Sequence, residues 1–120
     1  MTLETLVDYC MKKPGTEDTF PFGPDVLVFK VMNKMYALTN LTDENLRVNL
    51  KCEPERAIEL RDEYEEIIPG YHMSKKHWNT VIIGSGYLDE KFIKELIDDS
   101  YDLIVASLPK KTREELEKLK

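Results

Sequence analysis

Cysteine, glycine and histidine are scarce in this chain, and long apolar runs are missing. The two cysteines, Cys10 and Cys52, lie far apart and in no CxxC spacing. That excludes a disulfide framework and a cysteine-based zinc site, and it leaves two small buried hydrophobes suited to a reducing compartment. No apolar run is long enough to span a bilayer. The start, Met1-Thr2-Leu3-Glu4, carries an early acid and no basic stretch, so no signal peptide is expected and the expected location is the cytoplasm. Among the five glycines, Gly84-Ser85-Gly86 has neither the lysine nor the following Ser/Thr of a phosphate-binding loop, so it reads as a plain turn. The only histidines, His72 and His77, are five apart. On a strand that spacing puts them on opposite faces, and on a helix it does not place them on one face. No cysteine or carboxylate sits beside them, so neither a metal site nor a cofactor is expected. Ser74 stands nearby without a nucleophile-elbow motif. The chain is therefore expected to bind rather than to catalyse.

What is present fits one globular domain over residues 1–120, with 42% hydrophobic and 33% charged residues. Helical spacing of Leu3, Leu6, Val7 and Cys10 predicts a helix over 2–13, capped by Thr2 and stopped at Pro14-Gly15. Residues 14–25 read as irregular, with Phe20 and Phe22 tucking the loop against the core. Strands follow at 26–31 and 35–39, joined by a turn centred on Asn33, and then at 46–52, where apolar and polar residues alternate. Pro54 opens a second helix whose inner stripe is Ala57, Leu60, Tyr64 and Ile67 and which ends at Pro69-Gly70. A second β region is expected at 71–73 and 78–83. Asp89 is expected to cap a third helix, broken near Asp99-Ser100 and stopped by Pro109. Thr112 and Glu115 suggest a capping box for a last one. The predicted order, α-β-β-β-α-β-β-α-α, defines an α+β fold: an antiparallel sheet of about five strands with helices packed on one face.

The formal net charge of −6 is unevenly spread. Two long stretches, Val26–Thr42 and Ile67–Gly86, contain no acid; the first carries Lys30 and Lys34, the second Lys75 and Lys76 with both histidines. The acids gather at 53–66 and 87–107. Strands hold few acids in any case, but both acid-free stretches are the predicted hairpins. An acidic protein thus presents two mildly basic loops able to approach an anion. Trp78, the only tryptophan, stands next to Lys75, Lys76 and His77, where an aromatic ring packs in the core or stacks on a base or sugar.

The string from Pro69 to Val81, PGYHMSKKHWNTV, resembles the hallmark of the MmcQ/YjbR family. Pro21-Phe22-Gly23, Lys51-Cys52-Glu53-Pro54 and Asp99-Ser100-Tyr101-Asp102-Leu103-Ile104-Val105 fit the same family, so the resemblance covers essentially the whole chain. It implies a compact α+β fold similar to CyaY and frataxin, with a double-wing arrangement and a DNA-binding role. The wings would fall on the two acid-free hairpins. Lys30, Lys34, Lys75 and Lys76 would then contact phosphate, and Asn33, His72, His77 and Trp78 would contact bases or sugars. Four such lysines imply weak, salt-sensitive binding, with a slope of roughly −3 to −4 in log K against log salt. The alternative is a small-molecule or protein-binding module with a groove lined by His72, His77, Trp78 and the lysines. Acidic ridges in frataxin-like folds bind iron, but the first helix here offers only Glu4 and Asp8. The expected state is a monomer without membrane contact.

Overall fold

A computed structural model describes all 120 residues. Six antiparallel strands form one sheet in the order β1-β2-β3-β4-β6-β5. They are β1 (Thr16–Thr19), β2 (Val26–Val31), β3 (Lys34–Asn40), β4 (Arg47–Lys51), β5 (Ile67–Pro69) and β6 (Trp78–Ile82). Helices α1 (Leu3–Met11), α2 (Pro54–Glu63), α3 (Glu90–Ser107) and α4 (Lys110–Glu117) cover one face. The α+β architecture and the one-sided helix layer are as expected, with one strand more than the sequence suggested. No helix is long and apolar enough to cross a membrane.

The main core lies between the sheet and α3, with α1, α2 and α4 closing its sides. Leu27, Phe29 and Val31 of β2 and Val48 and Leu50 of β4 meet Ile93, Leu96, Ile97 and Ile104 of α3. A register shift between Phe29 and Lys30 leaves an extra residue on β3. A bulge of this kind turns a side chain away from strict alternation, so that both Tyr36 and Ala37 are fully buried. The Tyr36 hydroxyl then donates to the Cys10 carbonyl at 3.2 Å and lies 2.9 Å from Thr16 Oγ1, tying α1 and β1 to the sheet.

Several local expectations are corrected. Residues 16–19, read as irregular, pair with β2 as an edge strand, because Phe20, Pro21, Gly23 and Pro24 all fall beyond its last residue. The strand expected at 71–73 lies at 67–69 instead: α2 stops at Glu63, and Tyr64 leaves the helix to stack on Phe92 at 4.9 Å between ring centres. Helix α3 is unbroken through Asp99 and Ser100, since the Ser100 hydroxyl is engaged with the sheet and is not free to cap. Asp89 sits at the N-cap of α3 without a side-chain cap bond. Helix α4 begins at Lys110 behind Pro109, so Thr112 is already inside it and cannot head a capping box.

Candidate functional site

The helices leave the second sheet face open, and a smaller apolar cluster of Val28, Leu38 and Trp78 lies there, flanked by Val26, Met35 and Met73. Beside it runs a cleft of about 780 Å³. That volume falls within the range of about 300–1,000 Å³ typical of small-molecule sites. Its floor is the outward-facing side of the strands: Val26, Leu38, Asn49 and Thr80. Its walls are three loops, contributing Phe22, then Asn40 and Asp43, then Tyr71, His72 and Met73.

The third wall is held by a small polar network. Residues 70–77 leave β5 at the end of the sheet where the β2–β3 tip also lies, but the chain then bends back over β4. The Tyr71 amide donates to Thr80 Oγ1 at 3.0 Å, Thr80 Oγ1 donates to Asn49 Oδ1 at 2.5 Å, and Asn49 Nδ2 donates to the Tyr71 carbonyl at 3.3 Å. The bend needs glycine at its base: a Cβ on Gly70 would stand 2.8 Å from the Trp78 carbonyl oxygen. It also holds His72 at φ +60°, in the left-handed region that costs an ordinary residue about 1 kcal/mol. The His72 ring lies 3.9 Å from that of Tyr71, centre to centre, and Tyr71 and Phe22 are 65% and 62% exposed. Two exposed aromatic rings on the walls of one cleft are unusual enough to suggest a partner surface.

Arg47 supplies the charge. It begins β4, lines the cleft and forms no ion pair. Its Nε is shielded from solvent and has no acceptor. A guanidinium held dry without a counter-charge is costly, and an incoming carboxylate or phosphate relieves that cost with a charge-assisted pair.

The eight residues singled out from the sequence are not gathered in one place. His72 is in the cleft wall. Trp78 is only 8% exposed and packs against Leu38 and Val28, so burial removes it as a stacking surface for bases, a correction to the sequence reading. Lys30 pairs with Met35 and Glu17 on the open face, whereas Lys34 reaches Ser107 of α3 at 3.3 Å on the helix-covered side. The first lysine pair is thus split between the two faces. Asn33 sits with Met32 at the tip, both at positive φ as a tight hairpin turn requires. Lys75 and Lys76 occupy the apex of a turn closed by the His77 and Trp78 amides on the Ser74 carbonyl, and His77 is exposed beside them. The sequence reading missed Arg47, Asn40, Asp43 and Asn49. Alternation over 46–52 marked Arg47 and Asn49 as the wet side of a strand, but it carried no sign that three loops would wall that side in.

The fold and the cleft define a small α+β domain with one sheet face open and partly roofed by a glycine-hinged loop. The chain belongs to the YjbR family, whose model matches residues 11–103. It is 34% identical to the uncharacterized protein YjbR of Escherichia coli K12 over 99% of this chain and 100% of that one. It is 36% identical to the uncharacterized protein YbdF of Escherichia coli O157:H7 over 90% of this chain and 88% of that one. Its structure is similar to the crystal structure of Deinococcus radiodurans protein DR2400, of family-model domain DUF419, with a TM-score of 0.90 and 41% identity, covering 97% of this chain and 88% of that one. A crystal structure of a Pseudomonas syringae protein matches with a TM-score of 0.75 at 35% identity, over 86% of this chain and 98% of that one.

Proposed function

We propose that this protein is a non-enzymatic binding module whose ligand is a small organic anion seated in the cleft on the open sheet face. One observation carries the reading: Arg47 lies unpaired in a cleft of about 780 Å³ that also has an apolar floor and exposed aromatic walls. Apolar surface supplies affinity and a few placed polar groups supply orientation, which is the usual composition of such sites. The test is a ¹H–¹⁵N titration with a panel of small anions, namely aromatic carboxylates, sugar phosphates and mononucleotides. Amide shifts should concentrate at 40–47 and 71–73, and Arg47→Gln should weaken binding by roughly tenfold or more, the loss of one charge-assisted contact. A panel that leaves those amides unmoved at millimolar concentration overturns the reading.

A second reading, contact with duplex DNA through the two acid-free loops, rests on the segregation of charge. The acids of α2 and α3 lie on the helix side, while Lys75 and Lys76 stand at the same sheet end as the Asn33 tip. With Lys34 turned to the other face, three lysines remain, and the expected salt slope falls to roughly −2 to −3. Anisotropy with labelled duplex at low salt decides it: Lys75→Ala/Lys76→Ala should abolish binding while Arg47→Gln leaves it intact. No binding below about 100 μM, weak even for non-specific contacts, ends this reading.

A further inference from the structure

The free hydrogen-bonding groups of the cleft narrow the ligand class. Asn49 and Thr80 are consumed by the network that holds the third wall. Asn40 Oδ1 accepts from the Thr42 amide at 3.0 Å and the Thr42 hydroxyl at 2.7 Å, which fixes the side chain and leaves its Nδ2 as a donor. Asp43, three residues on, carries no cation within ion-pair distance, so its carboxylate is an open acceptor. Arg47 is the open cationic donor. One loop therefore offers an amide donor, a carboxylate acceptor and a guanidinium. Opposite it stand the Tyr71–His72 ring pair and the exposed ring of Phe22.

A featureless aliphatic acid uses Arg47 and wastes the rest. A sugar phosphate has no flat surface for three rings. A ligand with a planar π-face, an edge carrying both donors and acceptors, and a separate anionic group uses all of them. Resting on the cleft reading above, we propose that the site takes a nucleotide unit. The base lies against Phe22 and Tyr71, its hydrogen-bonding edge meets Asn40 Nδ2 and the Asp43 carboxylate, and the phosphate pairs with Arg47. Asp43 repels an anion placed at its own end of the loop, which orients the ligand with phosphate toward Arg47 and base edge toward Asp43. The cleft is open enough for this unit to come from a free mononucleotide or from a single-stranded nucleic acid.

Calorimetry and ¹H–¹⁵N spectra with adenosine and uridine 5′-monophosphates, the matching nucleosides, inorganic phosphate, and decathymidylate test the proposal and separate the sources. A mononucleotide should move the amides of 40–47 and 71–73. The nucleoside and inorganic phosphate should each bind at least about tenfold more weakly, since each keeps only half of the contacts. Arg47→Gln should weaken the nucleotide about tenfold and leave the nucleoside unchanged. Phe22→Ala, at an exposed loop position that leaves the core intact, should weaken both by roughly tenfold, the scale of one base–aromatic stack. Decathymidylate binding at least tenfold tighter than its mononucleotide assigns the strand as source, and equal affinity assigns the free nucleotide. Phosphate binding as tightly as the nucleotide, or an aromatic carboxylate outcompeting it, overturns the nucleotide assignment and leaves the anion cleft standing. No shift from any of these anions overturns both.

Discussion

Ser100 shows how much one buried hydroxyl can hold. Strands β3 and β4 pair only through Ala37–Leu50 and Leu38–Asn49, and the next step of the ladder would join Tyr36 to Lys51. There the strands part, and Ser100 stands between them: the Lys51 amide donates to its Oγ at 2.9 Å, and its hydroxyl donates to the Tyr36 carbonyl at 2.6 Å. The other end of the pairing is closed in the same way by the Thr39 hydroxyl on the Arg47 carbonyl at 2.6 Å. Ser100→Ala leaves one backbone donor and one acceptor unmatched next to the core. The expected loss is about 1–3 kcal/mol in chemical denaturation, and a variant within 0.3 kcal/mol of the parent would show that water replaces the hydroxyl at no cost. From the sequence, Ser100 after Asp99 reads as a helix break, because serine favours caps in the absence of other information. Nothing local distinguishes a capping serine from one facing two separated backbone groups. The same limit hid the site. His72 stood out by its rarity, whereas Arg47, Asn40 and Asp43 are ordinary polar residues until the loops are folded over them.

Elements with strong periodicity were legible and those defined by long-range contact were not. The β2–β3 hairpin, α1 and α2 announce themselves through alternation, caps and Pro54. Strand β1 exists only because β2 is beside it, and β5 is three residues long. Helix α4 is the extreme case. Its one buried residue is Leu116, and Leu116 Cδ1 would stand 2.6 Å from a Cβ on Gly15, so it sits directly over the turn after α1. Gly15 is also at φ +72°, where only glycine is unstrained. Leu116→Ala should cost about 2–4 kcal/mol if α4 melts with the whole domain. With a single anchor, local release is the cheaper route. Hydrogen exchange should accelerate across 110–117 in this variant while the amides of β2 and β3 keep their protection. Gly15→Ala, which displaces the same leucine from the opposite side, should give the same local pattern. Uniform acceleration through the sheet would mean that α4 is integral to the core.

The molecule as a whole stores a set of buried or hydrogen-bonded acids that resist ionisation, and together they set its alkaline limit. Burial pushes the Cys10 thiol from 9.0 up to about 12. Burial, then the hydrogen bond to Asp98, moves Tyr9 from 10.0 to about 12. Burial raises Tyr36, Cys52 and Tyr101 in the same direction. For each of these groups the protonated form is the one the fold accommodates. Below about pH 9 the thiol is neutral in both states and its contribution is fully present. As pH rises, the unfolded chain sheds the proton first, so stability falls from about pH 9 until the folded thiol itself titrates near 12. Cys10 is fully buried, so about 1.4 kcal/mol per pH unit applies to it in that window. The phenols add to the same slope above about pH 10. Thermal and urea unfolding between pH 8 and 10.5 should therefore show a steep loss of stability. Cys10→Ala, which packs a similar small apolar group at the same place, should remove about 2 kcal/mol of that loss while the tyrosine part remains. Parallel pH profiles for the parent and Cys10→Ala would mean that the thiol is no more perturbed in the fold than in the unfolded chain. Fluorescence at the alkaline end would then locate the failure at Tyr36, whose hydroxyl joins α1 and β1 to the bulge in β3.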